Sequence, residues 1–167
     1  MMPKTIHLTY HWDDPPLWVK RNVAEFVAMH PGWEVRFWTD LPIGMPQAIH
    51  DALAWAPTRR FQSDLVRYWI LQQYGGIYVD VDCRPRRQFD GWLRQKKAFG
   101  VAFSETSTVV DNFFMGSEAG HPVWDEVLAR CLDRDRWHQP MLYFGTVNCM
   151  TNTEMKVDVD IEMLPAR

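Results

Sequence analysis

At 167 residues the chain is long enough for one domain with a substantial core, and 47% hydrophobic against 23% charged residues marks it as globular, not disordered. Its 18 basic and 21 acidic side chains leave a net charge of −3, without the basic field that nucleic-acid binding ordinarily needs. Cys83, Cys131 and Cys149 have no C-x-x-C spacing, which argues against a metal cluster or a disulfide framework. With no basic-then-apolar leader and no apolar run near 18 residues, the expectation is a soluble, cytoplasmic protein without a membrane span.

"TIHLTY" (Thr5 to Tyr10) is β-branched and apolar and reads as a first strand. In "DDPPLWVKRNVAEFVAMHPG", Asp14 is placed to cap a helix starting at Pro15, with Val19, Val23, Phe26 and Val27 at helical spacing. "WEVRFWTD" is a second strand, and strand–helix–strand predicts a parallel crossover. "MPQAIHDALAWAP" gives a short helix and "TRRFQSDLVRYWILQQY" a longer one. Gly75 and Gly76 then stop it, since glycine accepts the left-handed conformation at a helix end. "IYVDVD", "AFGVAF", "VVDNFFMGS" and "KVDVDIEML" read as further strands, and "HPVWDEVLARCL" as a helix starting at His121. The alternation predicts an α/β domain spanning 1–167, a mostly parallel sheet flanked by helices.

Asp80 and Asp82 stand at i and i+2. In an extended chain they would share one face, about 6.5 Å apart at about 3.3 Å per residue, with Ile77, Val79 and Val81 on the other. The carboxyl end of a central strand is where open α/β sheets bind ligands, and two hard oxygen donors there suit Mg²⁺ or Mn²⁺. Asp64 and Arg67 lie three apart on one face of the preceding helix, which the double glycine swings into the acidic strand. A second D-x-D, Asp158 and Asp160, lies in a plainly alternating strand with neither double glycine nor basic partner before it. It reads as the wet face of a half-buried strand. His7 reads as a hydrogen-bonded core histidine, and Arg84 to Gln88 as a basic solvated loop.

"SDLVRYWILQQYGGIYVDVD", Ser63 to Asp82, resembles the signature of the DXD-containing sugar transferases, S-D-x-x-R-[YF] followed by G-G-[IV]-Y-x-D-x-D. Those include Golgi outer-chain mannosyltransferases, capsular polysaccharide sugar transferases and glucosylating cytotoxins. "PKTIHLTY", "HPGWEVRFWTD" and "VVDNFFMGSEAGHP" resemble further stretches of the family, with Tyr10 where a tryptophan usually stands. The resemblance implies a GT-A nucleotide-sugar-binding fold of minimal size. It implies transfer of a sugar from an NDP-sugar (UDP- or GDP-linked) to an acceptor hydroxyl, with retention of configuration and with Mn²⁺ or Mg²⁺ as cofactor. It further implies that Asp82 binds the metal and Asp80 approaches it while holding hydroxyls, that Asp64 and Arg67 hold the donor sugar and phosphates, and that Tyr10 stacks on the base. It places Asn112 at the donor or acceptor, although capping a strand end is the competing role. The acceptor (glycan, protein or small molecule) is open. Family members also run on into a C-terminal lid; here the expectation is either that "FGTVNCMTNT" (144–153) closes the site or that the lid segment is missing. The rival readings are a non-catalytic nucleotide-sugar-binding module and a haloacid-dehalogenase-type phosphohydrolase, whose D-x-D opens the chain instead of falling mid-chain.

Overall fold

The structure, a computed structural model, describes residues 1–11, 13–89, 91, 93–102, 110–133 and 161–164. Strands β1 (Thr5–Thr9), β2 (Glu34–Trp38), β3 (Gly76–Val79), β4 (Ala98–Ala102), β5 (Val110–Ser117) and β6 (Ile161–Leu164) form one sheet in the order β2-β1-β3-β5-β4-β6. β1 pairs in parallel with β2 and β3, and β4 with β6, while β5 runs against both β3 and β4. The sheet is mostly parallel, as expected, and the antiparallel β5 between β3 and β4 makes it mixed. The first strand–helix–strand unit is parallel, as its connection length requires.

Helix α1 (Leu17–Met29) covers one face. Its Phe26 packs with Ile6, Leu8, Ile77, Val79 and Phe99. Helices α2 (Gln47–Trp55), α3 (Arg59–Tyr74) and α4 (Pro122–Leu132) cover the other, packing on Tyr78 and Met115. Alternation along β1 and β3 therefore splits their side chains between two cores. α1 begins later than its sequence suggests. Pro16 forces Pro15 out of the helical region, Pro16 itself is extended (φ −62°, ψ 159°), and Asp14 pairs with Lys20 instead of capping. Val27 is 55% exposed, and Asn22 takes the inward place. Its Nδ2 donates to the Val81 carbonyl at 2.6 Å and to the Cys83 carbonyl, tying α1 to the loop after β3.

α3 is buried on nearly all sides from Phe61 to Leu71, as a helix between a sheet and a further helix layer should be. Thr58 caps it, accepting from the Phe61 amide at 3.2 Å. Gly75 and Gly76 end it with φ of 61° and 90°. A Cβ on Gly76 would sit 2.6 Å from the Thr5 carbonyl oxygen, so only glycine lets α3 turn straight into β3 beside β1. His7 on β1 locks this turn. Trp38 Nε1–H donates to its Nδ1 at 3.1 Å, which leaves the proton on Nε2, 2.9 Å from the Gly75 carbonyl. His121 starts α4 as expected, accepting from the Val123 amide, with Pro122 at the first helical position. No described helix is long and apolar enough to cross a membrane.

Candidate active site

β1 leads outward to β2 on one side, and β3 lies on the other, so the carboxyl ends of β1 and β3 flank a topological switch point. Open α/β sheets bind ligands at such crevices. A cleft of about 740 Å³ opens there, lined by Thr9, Trp18, Arg60, Ser63, Arg67, Tyr78, Asp80, Val81, Asp82, Cys83, Asp111, Asn112 and Phe113.

Arg67 is the hub of its floor. One terminal nitrogen donates to the Asn112 carbonyl at 2.8 Å and Oδ1 at 3.1 Å and pairs with Asp80 Oδ1 at 3.0 Å. The other donates to Ser63 Oγ at 3.2 Å and pairs with Asp64 Oδ1 at 3.1 Å. Its guanidinium also lies 4.7 Å from the Tyr78 ring centroid. Burial disfavours its charge, but the Tyr78, Asp64 and Asp80 oxygens outweigh burial and hold its pKa above the ordinary value.

A relay of hydroxyls reaches the same carboxylate. Tyr78 donates to Asp80 Oδ1 at 2.8 Å, Thr9 Oγ1 lies 3.2 Å from the Tyr78 hydroxyl, and Ser63 Oγ lies 3.4 Å from Thr9. Each hydroxyl can donate onward, so the chain from Ser63 ends on the carboxylate with every hydrogen used. Burial nevertheless lifts the Asp80 pKa above the ordinary carboxylate range, against the pull of Arg67 and the Tyr78 hydrogen bond. Burial lowers His11 to about 4, helped by Arg67, so the imidazole next to the cleft is neutral. Burial, then Asp80 and Asp82, push Cys83 up to about 12; it is a protonated thiol, not a nucleophile.

The structure brings Arg67, Asp80, Asp82 and Asn112 to one cleft, but not in the expected geometry. β3 ends at Val79. The Asp80 amide bonds the Phe113 carbonyl, and the Cys83 amide returns to the Asp80 carbonyl at 3.0 Å, making a turn. Asp80 and Asp82 therefore occupy the first and third positions of a turn and not one face of a strand. Tyr78 and Asp80 do share a side, as alternation requires. Asp80 is bound through Oδ1. Asp82 is exposed, and no cation pairs with it among the described residues; only the Cys83 thiol approaches it, at 3.9 Å.

Asp64 is buried beneath Arg67, accepts from Asn112 Nδ2 at 3.0 Å and is not among the residues lining the cleft. Asn112 is no simple strand cap. Its amide also donates to the Tyr68 hydroxyl at 3.0 Å. It reaches inward because β5 shifts register against β4, Gly100 facing Met115 while Val101 faces Asp111, so that 112–114 are extra residues on the β5 side. Tyr10 follows β1 half-buried, its amide bonded to the Trp38 carbonyl, and is not among the cleft-lining residues either. Asp158, Asp160 and 144–153 lie outside the described residues; β6, which follows Asp160, is three strands away from β3. Sequence reasoning missed Thr9, Trp18, Arg60, Tyr78 and Asp111. Of these only Tyr78 carried a signal, its i, i+2 relation to Asp80.

At the acidic turn, Asp80 Oδ2 and the Asp82 carboxylate are hard donors that suit Mg²⁺ or Mn²⁺. Among the described residues no cluster of three or more His, Cys, Asp or Glu side chains is present, so those two donors fit an ion completed by substrate phosphates and water.

Residues 16–99, half of the chain, match the glycosyltransferase sugar-binding region containing the DXD motif. Two mannosyl phosphorylinositol ceramide synthases of Saccharomyces cerevisiae are 31% and 30% identical over 85% of this chain, and an inositol phosphoceramide mannosyltransferase of Schizosaccharomyces pombe is 31% identical over 72% of it. The chain spans only 38%, 39% and 35% of those proteins. A solved structure, the PaToxG glycosyltransferase, superposes with a TM-score of 0.66 over 90% of this chain and 67% of its own, at 13% identity, which is a likeness of fold. The acidic turn at the switch point, the S-D-x-x-R helix beneath it and the matched family region agree: this α/β chain belongs to the DXD-containing glycosyltransferase family and has its GT-A fold.

Proposed function

We propose that the chain is the catalytic domain of a metal-dependent glycosyltransferase that moves a hexose from a nucleoside-diphosphate sugar to an acceptor hydroxyl with retention. The relatives' names favour mannose as the sugar and an inositol-phosphate headgroup as the acceptor. The observation that carries the reading is the pairing of a fixed Asp80 with an exposed Asp82 above a buried guanidinium.

Cleaving the sugar–phosphate bond leaves a diphosphate with growing negative charge. Mg²⁺ or Mn²⁺, held by Asp82 and by Asp80 Oδ2, would supply the charge neutralisation. Arg67 acts differently from a phosphate clamp, since both its terminal nitrogens already donate to protein oxygens. It fixes Asp80 and adds a buried positive field that needs no reorganisation during the reaction. Asp64, Ser63 and Asn112 hold the guanidinium in place. The cleft then serves to hold the acceptor hydroxyl against the sugar, which positioning alone makes effective.

The test is thermal stabilisation by a panel of UDP- and GDP-sugars with and without Mn²⁺, followed by transfer to inositol phospholipid. A ligand bound only by the folded state raises the melting temperature. Metal-dependent stabilisation that Asp82→Ala abolishes is expected. Metal-independent transfer by Asp82→Ala would overturn the reading, and binding without transfer or hydrolysis would favour the non-catalytic module.

A further inference from the structure

Among the described residues six large apolar side chains are exposed; Met1 precedes β1 and Val27 lies in the last turns of α1, while the other four gather on one edge. Leu17 (62%), Trp18 (53%), Leu41 (40%) and Ile43 (96%) all lie at the carboxyl edge of the parallel strands, the edge on which the cleft opens. Leu17 and Trp18 begin α1, directly after the loop that leaves β1. Leu41 and Ile43 lie in the loop that leaves β2, and Trp18 lines the cleft itself. Soluble surfaces tolerate single exposed apolar residues, but a group of them around one cleft marks an interaction surface.

The charges on the same edge are sorted. Asp82 and Asp111 line the cleft, whereas Asp13 pairs with Arg59 and Asp14 with Lys20 outside it. Arg84, Arg86 and Arg87, on the loop leaving β3, are exposed and make no ion pair among the described residues. That loop is fastened to α1 through Asn22 at Val81 and Cys83, and Phe89 at its far end packs against Phe26 and His30. The arginines are thus carried on a fixed loop beside the apolar helix start. Asp40, at the end of β2, is a further exposed acidic residue on this edge.

Aliphatic and indole side chains together with guanidinium groups, around an opening, match the interface of an anionic bilayer, where apolar tips enter the headgroup layer and basic groups meet phosphates. We propose that this edge docks on an anionic lipid surface and presents the cleft to a headgroup acceptor. The inference rests on the glycosyltransferase reading for the acceptor, but not for the docking.

Cosedimentation with phosphatidylcholine vesicles, with and without roughly one part in five phosphatidylinositol, tests it. The full chain should bind the anionic vesicles at least tenfold more tightly, with the preference shrinking as salt screens it. Ile43→Ser with Leu17→Ser, and separately Arg86→Glu with Arg87→Glu, should each weaken binding at least tenfold while leaving the nucleotide-sugar thermal shift unchanged. Equal binding to both vesicles, or variants that bind like the parent, would overturn the proposal. Transfer to detergent-solubilised inositol phospholipid without vesicle binding would sink the docking and spare the function. Vesicle binding without transfer would do the reverse.

Discussion

The floor of the cleft and its rim carry similar residue types under opposite physical conditions. On the floor, Asp64 and Arg67 are 3% and 4% exposed and bonded to each other, to Asn112 and to Asp80. At the rim, Asp82 and Arg84 stand in solvent. Charges that are buried and bonded to one another set geometry; charges left in water are free to bind. The D-x-D turn straddles the two regimes, since Asp80 belongs to the floor and Asp82 to the rim.

Removing a floor charge should therefore cost stability first. Arg67→Ala strands Asp64 and Asp80 in a buried site and should lower unfolding free energy by about 3–5 kcal/mol in urea titration. Asp82→Asn should do the converse. Its stability should stay within about 0.5 kcal/mol of the parent. Transfer should fall at least a hundredfold, about 2.7 kcal/mol of transition-state stabilisation. If Asp82→Asn melted early, or Arg67→Ala folded normally, the division between floor and rim would fail.

The Gly75–Gly76 turn that joins α3 to β3 comes next in size. Gly76→Ala combines a positive φ with a Cβ placed 2.6 Å from a central-strand carbonyl, and should cost roughly 2–3 kcal/mol. The lost stability should appear in urea melts, with activity reduced in proportion to the unfolded fraction and not beyond it.

Much of this was readable from local pattern. The order of strands and helices, the glycine stop and the start at His121 all depend on neighbours in sequence. What was not readable depends on distant partners. Asp80 and Asp82 were expected in one strand, but Asn22 of α1 takes the Val81 and Cys83 carbonyls and the chain turns instead. Asn112 enters the floor only because β5 carries extra residues against β4. Asp64 was expected at the donor, yet its carboxylate goes to Arg67 and Asn112, a destination that i, i+3 spacing alone does not distinguish from a surface pair. Arg60 and Trp18 line the cleft without any motif, because what brings them there is the fold's connectivity.

Acidification probes the buried support of the Gly75–Gly76 turn. Burial depresses the His7 pKa from 6.5 to about 4, partly offset by its bond to the Gly75 carbonyl. The unfolded chain thus takes up a proton at His7 that the folded chain refuses. Between those two values stability must rise with pH, and it is lost as pH falls through 6.5 toward about 4, where the loss levels off. From pH 7 to pH 5 this one group should remove on the order of 2 kcal/mol. His11 is depressed to the same value and adds to the slope, so the discriminating measurement is a difference. His7→Gln keeps a donor and an acceptor but cannot titrate. It should be less stable than the parent at pH 7 and lose less between pH 7 and pH 5 in urea melts. Parallel slopes for the two proteins would mean that the Gly75 turn tolerates a charged imidazole, and that the floor of the cleft is less tightly built than its hydrogen bonds indicate.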